Sequence, residues 1–184
     1  MSAILIILVI IVILAVFVMS IYNSLVSLRN QVHNSWAQID VELQRRFDLI
    51  PNLVETVKGY MNHEEAVLTK VTELRSSWAK ATSISEKAKL ENELSSALGS
   101  INVVAEQYPD LKANTNFLSL QEELSNTETK ISSSRASYNN ITTAYNTKLE
   151  IFPNNVVAGL FNFEKEDLFK VDSEEARKNV KVSF

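Results

Sequence analysis

Residues 25–50 read LVSLRNQVHNSWAQIDVELQRRFDLI, and the placing of their apolar side chains decides the fold. Leu25, Leu28, Val32, Trp36, Ile39, Leu43, Phe47 and Ile50 follow one another at intervals of 3, 4, 4, 3, 4, 4 and 3 residues. Three turns in about eleven residues is close to the natural pitch of a straight α-helix, so one face stays apolar throughout with little supercoiling. A helix of that kind has to bury the face against other helices.

The residues before it are of another kind. Residues 3–20 (AILIILVIIVILAVFVMS) hold no charge, no Gly and no Pro. As a helix they are roughly 27 Å long, about one hydrocarbon thickness. The span is assigned to Ile4, Leu5, Ile6, Ile7, Leu8, Val9, Ile10, Ile11, Val12, Ile13, Leu14, Ala15, Val16, Phe17 and Val18, with Tyr22 as an interfacial aromatic at headgroup depth. Residues 1–22 then form a transmembrane signal anchor. A cleaved signal peptide requires a basic start, a shorter apolar core and a small-x-small cleavage site, and none is present. The helical pattern passes from the span into the stripe without a linker, so anchor and first bundle helix are expected to be one rigid element. Arg29 is the positive charge nearest the span, with Arg45, Arg46 and Lys58 beyond it. The positive-inside rule then places the N-terminus outside and the domain in the cytoplasm.

Downstream, Pro51 lacks an N–H and its ring opposes the carbonyl of Phe47, so the helix must kink or end there. The stripe continues in phase through Val54, Val57 and Met61, which favours a kink; Asp48 can cap a new start with Pro51 in its first turn, which favours a break. Helix length tips the reading toward a hairpin near 48–51. A second helix is then expected to run to Ala81 with Leu53, Val57, Met61, Leu68, Val71, Leu74 and Trp78 inward and Gly59 tolerated within it. Residues 82–85 read as a turn, with Ser85 and Ala88 as half of a capping box. A third helix carries Leu90, Leu94, Leu98, Ile101 and Ala105, and YPDLKAN forms a loop. A fourth runs from about Asn114 to Phe152, with Phe117, Leu120, Leu124, Ile131, Tyr138, Tyr145 and Leu149 on one side and Thr127, Ser134 and Thr142 among them. With Gly and Pro at three each, sheets with tight turns are excluded. The fold class is all-α: a transmembrane helix continuing into an antiparallel four-helix bundle over residues 23–152, with a tail at 153–184 docking on the bundle or a partner.

Several strings, YNSLVSLRNQV, WAQIDVELQRRFDLIPNLVETVKGYMNHE, YPDLKANTNFLSLQEELSNTETKI and FPNNVVAGLFNF, are similar to the LemA family of bacterial membrane proteins. The resemblance runs from Tyr22 nearly to the terminal KVSF. It implies a helical bundle behind an N-terminal membrane helix, in the inner or plasma membrane of a bacterial cell. It carries over no catalytic residue, and it points loosely toward membrane proteases and envelope stress.

The residues themselves offer little chemistry. Cys is absent, which removes disulfides, thiolate metal sites and lipid attachment through an N-terminal Cys. The two histidines, His33 and His63, fall on different helices, and His63-Glu64-Glu65 reads as a polar helix surface rather than a metal site. No nucleophile elbow, SxxK pattern or glycine-rich phosphate loop is present. Lys plus Arg number 18 against 22 for Asp plus Glu, which argues against a nucleic-acid partner. No catalytic, cofactor or metal site is assigned.

Two places are assigned as possible interfaces. Asp40, Glu42, Arg45, Arg46 and Asp48 form the densest polar cluster; Glu42 pairs at helical spacing with Arg45 and Arg46. They form either a salt-bridged surface or a bridge from Arg45, Arg46 and Asp48 to a neighbouring helix or subunit, which a planar guanidinium suits. Trp36 and Trp78 lie on apolar stripes and read as core. Leu160, Phe161 and Phe163 are more apolar surface than a tail can bury alone, so they must cover the bundle, a partner subunit or lipid. The expected function is a membrane-anchored, self-associating, non-enzymatic scaffold with the lipid bilayer, a homo-oligomer and a membrane protein such as a protease as partners. A sensor or signal transducer is the alternative.

Overall fold

The computed structural model describes residues 2–60 and 65–169, and among them every regular element is a helix. The elements are α1 (Ser2–Asp48), α2 (Ile50–Lys58), α3 (Glu65–Trp78), α4 (Ile84–Ala105), α5 (Pro109–Lys112), α6 (Thr115–Glu150) and α7 (Asn154–Leu160). The first part of α1 is long and apolar enough to cross a membrane, and its side chains from Ile4 to Phe17 stand exposed. Beyond it the periodic positions turn inward. Ile21, Leu25, Val32, Ile39, Leu43, Phe47 and Ile50 are all buried, and Leu28 and Trp36 are half-buried.

Pro51 does not make the expected hairpin. Leu49 keeps right-handed helical angles (φ −76°, ψ −20°), its N–H reaches back to the Arg46 carbonyl, and its own carbonyl accepts from Leu53. The ladder therefore loses the proline's bond and resumes within one turn, as tolerated where Pro occupies the first helical positions. Ile50, Leu53 and Val57 consequently stay buried in phase with Phe47. The helix ends instead at Gly59, so the expected second helix is two, α2 and α3, which pack on each other. Met61, His63 and Glu64 lie outside the described residues, as does the charged EEARKNVK tail.

Other boundaries also differ from the sequence reading. The cap of α4 is Ser83, not Ser85: its hydroxyl accepts from the Glu86 N–H while the Glu86 carboxylate accepts from the Ser83 N–H, closing both halves of the capping box. Backbone and hydroxyl bonds from Ser83 and Thr82 hold the Glu86 carboxyl below the usual range. YPDLKAN contains the single turn α5, anchored by the buried Leu111. Asn114 starts α6 by accepting from the N–H groups of Asn116 and Phe117. Along α6 the buried residues Phe117, Leu124, Ile131, Tyr138 and Tyr145 recur at every seventh position. After Pro153 the chain forms α7, which the sequence reading did not foresee.

The described residues fall into two compact units. One holds α1 up to Gln38 together with Ser134–Leu168; there α1 and α6 run antiparallel, Trp36 against the Tyr138 ring at 5.8 Å and Ser24 accepting from Lys148. The other holds Ile39–Ser133 and Phe169: the end of α1, α2 to α5 and the first part of α6.

Candidate functional site

Among the described residues Arg46 is the largest fully buried side chain, at 1 % exposure. It sits three residues after Leu43 and four before Ile50, so the helical pitch places it on the inward face, whereas Arg45 turns outward. The guanidinium cannot shed its charge, so burial requires a partner. Its Nη1 donates to Oε1 of Glu91, itself only 2 % exposed, and its Nη2 to Oε2 of the more exposed Glu128 at 3.4 Å. Glu91 occupies an inward position of α4, between Ala88 and Leu94. One side chain thereby links α1, α4 and α6.

The rest of the cluster surrounds this link. Phe47 stacks on Trp78 of α3 at 4.5 Å, and the Trp78 indole N–H donates to Gln44. Lys87 lies over the Trp78 ring at 4.9 Å and bonds Asp40. Arg45 approaches Glu123 at 4.0 Å, both exposed, and the exposed Lys130 approaches the half-buried Glu42 at 3.8 Å. Asp48 accepts from Gln44 of its own helix at 2.9 Å. Of the three charged residues assigned as a possible interface, then, Arg46 is interior, while Arg45 and Asp48 remain on the surface.

A cleft of about 300 Å³ opens beside Arg46, lined among others by Leu53, Ser95, Gly99, Gln121 and Glu128. Its charge is already matched, since two carboxylates face one guanidinium. What this arrangement does chemically is fix the rotation of α1 against α4 and α6, because the two Nη groups meet carboxylates on two different helices only in one orientation, while the buried Nε–H stays without a partner. Among the described residues no group of three or more His, Asp and Glu side chains comes together as a metal site.

The second assigned place lies in the other unit. Residues 164–167 run beside α6 and are held by its side chains: the Tyr145 hydroxyl donates to the Glu164 carbonyl at 3.0 Å and the Tyr138 hydroxyl to the Asp167 carbonyl at 2.6 Å. Asn146 both donates to the Glu166 carbonyl and accepts from its N–H. Burial raises both phenols above their ordinary value. Phe163 packs edge-on to Tyr22 at 5.6 Å with Arg29 over its face at 5.1 Å, and Phe161 lies 4.8 Å from Tyr22. Leu160 faces solvent, at 70 % exposure. Sequence reasoning missed Glu91, Glu128 and the Tyr138–Tyr145–Asn146 clasp. Glu91 was legible as a charge on an apolar stripe; the clasp was not, since its acceptors are backbone groups.

A helix able to cross a membrane, leading into an all-helical domain braced by its own buried charges, defines a class of candidate membrane-anchored helical proteins. The LemA family model matches residues 35–184, and the chain belongs to the LemA family. It is similar to protein LemA of Metamycoplasma hominis, 31 % identical over 150 residues that cover 81 % of this chain and 66 % of that protein. It is also similar to the magnetosome proteins MamQ 1 and MamQ 2 of Paramagnetospirillum magneticum, each 21 % identical over 175 residues covering 81 % of this chain and 64 % of theirs. The chain thus spans just under two thirds of the length of these curated relatives.

Proposed function

We propose that this protein is a single-pass, membrane-anchored scaffold that works by contact rather than catalysis. The observation that carries this reading is the Arg46–Glu91–Glu128 link, because the most deeply buried charges of the described chain are spent on joining its own helices. The uninterrupted α1 supports it further: the helix that bears the apolar run also bears Arg46. In this reading the N-terminus lies outside, the domain lies on the cytoplasmic side of the bacterial inner membrane, and the chain self-associates. A membrane protein, such as a protease or an envelope-stress component, is its partner.

The test is cross-linking in intact membranes from the exposed Arg45 and Val103 positions, followed by mass determination. A captured second copy or membrane protein is the expected result. A clean monomer from both positions refutes the scaffold reading. The continuity of α1 also favours a second reading, a transducer in which helix rotation carries a lateral signal across the bilayer. Deleting the span and finding the output intact refutes that one.

A further inference from the structure

The segment IFPNNVVAGLFNF, residues 151–163, carries no charge, and charged Glu150 and Glu164 bound it. Within it α7 buries Val157 and Ala158 and leaves Val156 and Leu160, one turn apart, facing outward. Phe152 is 81 % exposed, Leu160 70 % and Val156 61 %, with Ile151 and Phe161 about half exposed beside them. Exposed apolar side chains gathered in one uncharged segment mark a docking face.

Its position identifies the occupant. α1 is exposed on all sides from Ile4 to Phe17, and its first buried side chain among the described residues is Ile21. Three contacts within this unit set the depth of the α7 segment against that boundary. The ladder from His33–Glu166 through Arg29–Phe163 to Tyr22–Phe161 climbs α1 toward the span as the chain is followed back to α7. Independently, Trp36 against Tyr138 and Ser24 against Lys148 fix an antiparallel register that brings the end of α6 level with Tyr22. Both routes put residues 151–161 at the end of the apolar run, and the exposed patch continues the exposed surface of the span.

We propose that residues 151–161 form a second membrane foot: α7 rests in the lipid interface beside the span, with Phe152, Val156 and Leu160 inserted at the boundary between headgroups and acyl chains. An uncharged, apolar-faced helix at this depth gains from burying its exposed side there. Two contacts in place of one hold the first unit against pivoting about the span. The proposal rests on the reading of α1 as a membrane span.

The chain has no cysteine, so single ones can be placed at will. Full-length V156C and L160C, reconstituted in vesicles of phosphatidylcholine and phosphatidylglycerol at high lipid-to-protein ratio, are labelled with an environment-sensitive fluorophore. Labels at I10C in the span and S119C on exposed α6 serve as references. The 156 and 160 labels are expected to be quenched by shallow brominated lipid and to lose most of the iodide quenching seen at 119. Adding the V156E substitution to L160C should restore iodide quenching several-fold without moving the I10C reading. Iodide quenching at 156 and 160 equal to that at 119, with I10C protected, overturns the proposal alone. Protection from both quenchers overturns it in favour of a protein partner. Iodide access at I10C overturns the span and the foot together.

Discussion

Replacing Arg46 with methionine removes the cation of a buried pair while nearly preserving volume, and its effect follows from burial. Arg46 is 1 % exposed and Glu91 2 %, so the substitution leaves a carboxylate inside the helical packing with its cationic partner gone. Breaking such a pair from one side costs about 3–5 kcal/mol. The contact with Glu128 adds little, because that side chain is 60 % exposed at 3.4 Å and solvent screens it to about 0–1 kcal/mol. Glu128→Gln therefore serves as the control. At about 2–4 °C per kcal/mol for a chain of this size, Arg46→Met lowers Tm by about 6–20 °C and Glu128→Gln by about 4 °C at most. The double variant R46M/E91L recovers most of the loss, since an apolar pair of similar volume replaces a buried ion pair at little or no cost. The assay is thermal unfolding of the detergent-solubilised chain followed by circular dichroism. Equal, small shifts for Arg46→Met and Glu128→Gln would show that the guanidinium is not buried and would remove the argument for a structural brace.

Further expectations concern the clasp and the cap. Tyr138→Phe and Tyr145→Phe each cost about 0.5–1.5 kcal/mol and speed amide exchange over residues 163–168, which mass spectrometry reads; unchanged exchange contradicts the two hydroxyl bonds. Both phenols are raised in the folded state, so their contribution is complete below the ordinary tyrosine value and is lost as pH climbs through the raised ones. Spectrophotometric titration of the five tyrosines should accordingly show a late group that Tyr138→Phe and Tyr145→Phe abolish. Ser83→Ala costs about 0.5–2 kcal/mol through loss of the α4 cap, whereas Ser85→Ala stays near zero; the reverse order in thermal unfolding refutes the assigned cap.

The sequence by itself determined the apolar run long enough to cross a membrane, the helical class and the inward face of α1, because apolar periodicity and a charge-free run depend on local pitch and composition alone. Helical spacing admits Arg46 and Glu91 at inward positions, which the stripe through Leu90 passed over, and a stripe does not say which stripes meet. Where the helix stops was decided by balance: at Pro51 one missing N–H cost less than abandoning the buried positions of Ile50, Leu53 and Val57, so the helix end moved to Gly59. Only the tertiary structure could pair Arg46 with Glu91, 45 positions further along the chain, or lay residues 164–167 on Tyr138, Asn146 and Tyr145. Those contacts join distant elements, and one of their partners is often a backbone group that every residue possesses. The apolar run was therefore written in local composition, whereas the surface that α7 sets beside its end arose from the antiparallel register of α1 and α6, which no single stretch of sequence contains.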